Sequence, residues 1–419
     1  MTVSDPPAGV PASGAPLSDR AFDYAGFRYY WVGRFLLVFA IQVLSVSVGW
    51  QIYDQTRDPF LLGLVGLVQF LPAPFLVLIT GSVADRYNRK FIMAACMAVE
   101  GLCALALLTI LHAGTTQVWP VFAVLFVFGI ARAFMGPAVQ SLLANLVPQS
   151  ALANAIALNS SSFQIATIVG PTAGGLLYGV SSELSYSVSI LFFICAGLLT
   201  LMIPKTGQLS SAEPVSAEVL FAGFRYIWSQ PIVLGALSLD MVAVMLGGAT
   251  ALLPVFARDI LDVGPWGLGA LRSAVGVGAL LMSLWLVNNP VRDHAGIKMF
   301  AAVGVYGLAI VVFGLSTLVW LSVLALVVMG AADMVSVFIR QTLVQLKTPD
   351  ELRGRVSAVN MTFIGASNEL GEFRAGSMAA GFGAVPAVLI GGAGALITAA
   401  LWARLFPDLR TVRHLDRMG

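Results

Sequence analysis

The chain has 419 residues, 58% of them hydrophobic and 11% charged, with a formal net charge of +2. A soluble domain carries roughly 25% charged residues, so there is too little polar surface here to cover a water-soluble globule, and lipid is the natural solvent. The near-neutral balance, with basic residues confined to short turns, argues against nucleic acid as a partner.

In chain order, residues 1–20 are rich in Pro, Ala, Gly and Ser and read as a disordered tail with no cleavable leader. A membrane-crossing helix needs about 20 apolar residues. Twelve runs meet that length: 30–53, 60–84, 90–112, 117–146, 150–180, 185–203, 231–257, 265–289, 296–316, 318–347, 352–382 and 384–406. They are too long for strands and lack period-two alternation. The expected class is therefore an all-α integral membrane protein. The longest polar break, 204–230, separates a first six-helix bundle (21–203) from a second (231–406), and a basic tail follows at 407–419. The break ends in Ala217–Ser229, which reads as a short interfacial helix.

Lys and Arg gather on one side of these spans. With both termini cytoplasmic, only Arg57 and Arg258 fall opposite, and this bias favours an even number of crossings. The halves also repeat. Ala25-Gly-Phe-Arg-Tyr-Tyr-Trp31 recurs as Ala222-Gly-Phe-Arg-Tyr-Ile-Trp228. At nearly the same offset Gly129 matches Gly330, Gln140 matches Gln341, Asn159 matches Asn360 and Gly170 matches Gly371. Repeated halves build transporters whose site lies near the bilayer midplane.

Four signals carry chemistry. Gly81-x-x-x-Asp85-Arg86-x-x-Arg89-Lys90 follows the second span; as a plain positive-inside turn it would keep its basic groups in water. Thr348-Pro349-Asp350-Glu351 opens the eleventh span like a capping box with Pro at the first helical position. Gly170-Pro171-Thr172-Ala173-Gly174-Gly175 in the fifth span combines a kink with close-packing glycines. Ten charges lie inside apolar runs: Arg34, Arg132, Arg272, Arg340 and Arg374 against Glu100, Asp240, Asp333, Glu369 and Glu372. Each would cost on the order of 2.5–3.5 kcal/mol facing lipid, so internal pairing and functional roles are both expected. Trp31, Trp50, Trp119, Trp228, Trp266 and Trp402 fall near span ends and read as interfacial belts. Phe70 and Phe163 lie mid-span, where core packing accounts for them and a cavity lining is the alternative. Cys96, Cys103, Cys195 and three scattered His show no metal spacing, and no nucleotide loop or catalytic triad is recognisable. The chain reads as a transporter without cofactor, not an enzyme.

The 81–90 pattern resembles the cytoplasmic signature of the major facilitator superfamily, and Gly170, Pro171, Gly174 and Gly175 resemble the core of its antiporter signature. The paired Ala-Gly-Phe-Arg-Tyr segments and Arg353-Gly-Arg-Val356 are similar to its drug:proton antiporter and siderophore (enterobactin) exporter branch. The resemblance implies twelve helices in two pseudo-symmetric six-helix bundles in a bacterial inner membrane, working as a monomer. It implies a latch at Gly81, Asp85, Arg86, Arg89 and Lys90, with Asp85 facing the start of the eleventh span, and export of a small amphipathic compound against protons. It favours Arg132, Asp240 and Asp333 as cavity residues. Arg340, Glu369, Glu372 and Arg374 complete the candidates for proton coupling or a polar cavity wall. A facilitator or importer of another solute, such as a lysolipid or metabolite, is the alternative within the fold, and a non-transporting sensor the alternative outside it.

Overall fold

The structure is a computed structural model that describes residues 18–114, 117–204, 217–291 and 293–412. The expected tails at 1–17 and 413–419, and most of the linker (205–216), lie outside the described residues, as do Arg292 and the side chain of Asp85. Among the described residues sixteen α-helices follow one another: α1 (Ala25–Thr56), α2 (Pro59–Phe70), α3 (Pro72–Arg86), α4 (Arg89–His112), α5 (Trp119–Leu143), α6 (Gln149–Val180), α7 (Ser182–Met202), α8 (Ala217–Ser229), α9 (Pro231–Gly247), α10 (Leu253–Val255), α11 (Gly264–Asn288), α12 (Ala295–Leu315), α13 (Val319–Lys347), α14 (Asp350–Phe382), α15 (Ala384–Leu405) and α16 (Pro407–Arg410).

Among the described residues, eleven helical stretches are long and apolar enough to cross a membrane. The remaining expected span is α14. Its 33 residues would reach about 50 Å at 1.5 Å per residue, but its charged groups keep it out of the apolar set. Helix α14 begins at Asp350 with Pro349 in the cap position and no side-chain cap. Thr348 therefore does not form the expected capping box: among the described residues its hydroxyl caps no helix amide.

The chain groups into two compact units. The first comprises Met1–Ser47 with Leu71–Val215, and the second Val48–Phe70 with Ser216–Gly419. The second unit thus includes the end of α1 and all of α2. In the first unit α4 packs on α5 and α7, and α3 packs on α5. In the second, α11 and α12 pack on α13, α12 packs on α15, and α14 packs on α2 and α9.

Helices in lipid associate through close backbone approach, which small residues permit. A Cβ on Gly278 would lie 1.9 Å from the Val327 carbonyl oxygen, and one on Gly330 would lie 2.0 Å from that of Val275. These two glycines seat α11 against α13. Gly63 and Gly376 do the same between α2 and α14.

The seventh expected span, 231–257, is not one helix. After α9 stops at Gly247 the chain makes a 3-10 turn at Ala249–Leu252, the short α10, and a π-turn at Phe256–Ile260. The glycine pair sits where neighbours leave no room for a side chain. A Cβ on Gly247 would lie 2.6 Å from the Tyr306 hydroxyl, and one on Gly248 would lie 2.3 Å from the Gly371 carbonyl oxygen.

Candidate functional site

The break after α9 opens a polar site within the second unit. A cavity of about 140 Å³ is lined by Gly248, Thr250, Tyr306, Asp333, Asn368 and Glu372, among others. A smaller void of about 10 Å³ adjoins it, bordered by Asp240, Tyr306, Asp333 and Ser336. Both share Val244, Tyr306 and Asp333 as lining, so Asp240, Asp333 and Glu372 line two neighbouring cavities with Asp333 common to both. Discontinuous helices place such sites in membrane transporters because freed backbone groups are tolerated only where they line a cavity or are satisfied by protein.

The carboxylates differ in what holds them. Asp240 lies 3.3 Å from Arg340, which is only 3% exposed. Arg340 also donates to the Asn360 side-chain oxygen at 3.0 Å, while its Nε has no partner among the described residues. Glu372 accepts a hydrogen bond from the Thr250 hydroxyl at 3.0 Å, and Arg272 is its nearest opposite charge. Asp333 is within electrostatic reach of Asp240 as a like charge and of Arg340 as a cation. Two carboxylates thus share one guanidinium.

Arg374 stands apart from these carboxylates. Its Nε donates to the Met245 carbonyl at 3.0 Å and a second nitrogen donates to Leu246. It holds the loose carbonyls where α9 ends, a role available to a cation at a helix C-terminus. Glu369 and Glu372 both lie against Gly66 of α2, where an added Cβ would meet a carboxylate oxygen of each. Tyr306, Thr250 and Asn360 belong to the site although sequence reasoning passed over them. The one available signal was Asn360, through its repeat match to Asn159.

The end of α1 carries a second polar cluster in the same unit. Arg57 pairs with Asp259 at 2.8 Å, Arg258 pairs with Asp54, and the Tyr53 hydroxyl donates to Asp259. The Arg258 guanidinium lies over the Trp50 ring at 5.5 Å. Trp50 is therefore buried under a cation and is not part of an interfacial belt. The two basic residues that broke the topological bias are each matched by an acid. Reversing one charge (Arg258→Asp) is expected to lower the thermal unfolding midpoint, and adding Asp54→Arg is expected to restore it. A coupling of about 0.5–1 kcal/mol from the double-mutant cycle is the expected size for half-exposed pairs.

In the first unit the 81–90 cluster departs from the expected solvated turn. Arg86 is exposed, but Arg89 and Lys90 are buried. Lys90 donates to the Ile203 carbonyl at 2.7 Å and to Leu201 at 3.3 Å, closing the end of α7. Arg89 donates to Ala84 and Ser141, both at 3.3 Å, near the ends of α3 and α5. Three helix C-termini, each with unpaired carbonyls, converge on two basic side chains. Lys90→Met is expected to remove about 1–2 kcal/mol of stability, read as a lower unfolding midpoint in detergent.

The other predicted residues of this unit are placed as follows. Gly170 and Gly174 bring α6 against α1: added Cβ atoms would lie 2.7 Å from Gln42 and 2.9 Å from the Val43 backbone. Pro171 and Gly175 are buried beside them. Arg132 is exposed midway along α5. Phe163 is also exposed and lies under the Arg34 guanidinium at 5.9 Å, so it is not a core residue.

The family model described as "Transmembrane secretion effector" matches residues 13–417. The enterobactin exporter EntS of Shigella boydii serotype 4 (strain Sb227) is 27% identical over 384 residues, covering 90% of this chain and 86% of that protein. EntS of Escherichia coli O81 (strain ED1a) matches to the same extent. Among solved structures, a bacterial homologue of the human lysosomal transporter Spinster, inward-facing and unoccupied, superposes with a TM-score of 0.75 at 14% identity, covering 94% of this chain and 99% of that one. The nucleoside transporter NupG superposes with a TM-score of 0.71 at 16% identity, covering 91% and 99%. The all-helical fold, the match along almost the whole chain and these neighbours agree: the chain belongs to the transmembrane secretion effector family of major facilitator superfamily transporters.

Proposed function

We propose that the chain is a secondary active exporter of a small amphipathic compound, exchanged for protons by alternating access in a bacterial inner membrane, with both termini cytoplasmic and a monomer as the working unit. One observation carries the reading above the others. Asp240, Asp333 and Glu372 line two neighbouring cavities beside a broken helix, and a single arginine acts on the first two. In such a place a carboxylate can trade its proton as its surroundings dry or admit water, which is what coupling to a proton gradient requires. The relatives named enterobactin exporters support export, and a siderophore-like or drug-like cargo.

In this reading the bundles at 21–203 and 231–406 are the moving parts, and the linker at 204–230 joins them. The cluster of Gly81, Asp85, Arg86, Arg89 and Lys90 serves as the cytoplasmic latch. Asp85→Asn is expected to cut flux while leaving the amount of membrane-inserted protein unchanged. The deciding experiment is efflux from proteoliposomes with a panel of dyes, siderophores and lysolipids, each with and without a pH gradient. Export of at least one compound that rises with the gradient supports the reading. Equal flux in both conditions would mark the chain as a facilitator.

A further inference from the structure

The first unit holds a charged cluster of its own. Tyr30 and Arg34 lie one turn apart on α1, Glu100 lies midway along α4, Arg132 midway along α5, and Asn159 and Phe163 one turn apart on α6. Glu100 is 0% exposed, and neither of its carboxylate oxygens has a hydrogen-bond partner among the described residues. The Tyr30 hydroxyl, Arg34 Nε and Asn159 Oδ1 are also buried without hydrogen-bond partners among the described residues. Arg132 and Arg34 are the cations within electrostatic reach of Glu100, with the thiols of Cys96 and Cys103 beside it. Neither arginine forms an ion pair or hydrogen bond with a described residue. Arg34 instead lies 5.9 Å from the Phe163 ring centre.

Such a cluster is costly unless something completes it. Each guanidinium has five donors in a planar fork, which matches the two oxygens of a carboxylate or phosphate. Facing acyl chains costs an arginine on the order of 2.5–3.5 kcal/mol, so arginines midway along membrane helices turn to the bundle interior or to water. With Glu100 ionised, two guanidinium groups lie within electrostatic reach of one buried carboxylate that neither touches, and the cluster keeps one positive charge in excess. The exposed Phe163 face beside Arg34 offers a surface for a planar group.

We infer that Arg34 and Arg132 bind an anionic group of the exported compound, that Phe163 receives its planar apolar part, and that Glu100 is the buried anion within electrostatic reach that offsets the arginines without touching them. This rests on the exporter reading and adds the substrate class: an amphipathic organic anion. Solute and Glu100 then compete for the same cations.

The test uses the purified full-length protein in neutral detergent, with 2-naphthoate as a minimal planar carboxylate and 2-naphthamide as its neutral counterpart. Binding is read by titration calorimetry and by the shift in unfolding midpoint. Naphthoate is expected to bind and naphthamide not to bind. Arg34→Gln and Arg132→Gln are each expected to weaken naphthoate binding about tenfold or more, and Glu100→Gln to tighten it by about tenfold. Equal binding of the two probes, unchanged affinity in both arginine variants, or no naphthoate binding by the wild type would overturn the inference. If Glu100→Gln does not fold, the two arginine variants decide. Anion binding without any gradient-driven export would sink the exporter reading and leave the site. Gradient-driven export of a cationic dye without anion binding would do the reverse.

Discussion

In proteoliposomes held at a one-unit pH gradient, Asp333→Asn protein is expected to lose solute accumulation, whereas the wild type sustains about a tenfold ratio for each proton exchanged. One pH unit is worth about 1.4 kcal/mol per proton, and a protein lacking the exchanging carboxylate cannot draw on it. Asp333 is the choice because it borders both cavities and has no arginine to itself. Asp240 is ion-paired with Arg340, so Asp240→Asn removes a buried ion pair and mixes a stability loss with any transport defect. Downhill counterflow is the control. It should persist in Asp333→Asn, which separates loss of coupling from loss of folding. Full gradient-driven accumulation by Asp333→Asn and Glu372→Gln alike would remove these carboxylates from the mechanism.

The largest expected effect on stability is at the α11–α13 crossing. Gly278→Leu would place a Cβ 1.9 Å from the Val327 carbonyl oxygen. Backbone cannot yield like a flexible side chain, so the two helices must separate along their length. Overpacking of a well-packed core costs about 1–3 kcal/mol, and forced helix separation adds the cavities opened on either side. The expected result is little or no monodisperse protein by fluorescence-detected size exclusion. Gly304, which has open space around it, should accept Ala without effect. A monodisperse, thermostable Gly278→Leu protein would show that this crossing is not a fixed contact.

Much of the helical frame was legible. Predicted spans 90–112, 150–180, 265–289 and 296–316 differ by one residue at most at either end from α4, α6, α11 and α12. The apolar run is the physical cause of the helix in lipid, so its ends are visible in composition. The seventh span was read as continuous because Gly247 and Gly248 look like packing glycines in an apolar run. Only the neighbours, Tyr306 and Gly371, make them the point of breakage. Arg89 and Lys90 were read as solvated because their partners are carbonyls at the ends of helices up to 113 residues away. Sequence carries no signal for a bond to a distant backbone group. The carboxylates Asp240, Asp333 and Glu372 were legible, since a charge in an apolar run stands out. Tyr306 was not, because one tyrosine in such a run looks like any aromatic.

The π-turn at Phe256–Ile260 has a geometric corollary. Its register is set by the Leu261 amide bonding to the Phe256 carbonyl at 2.8 Å, one residue further along than in an ordinary turn. Taking up that surplus residue would swing everything beyond it by about 100° around the helix axis. Deleting Ala257 would do this permanently, re-aiming Arg258 and Asp259 relative to the segment that precedes them and leaving Asp54 and Arg57 without their counterparts.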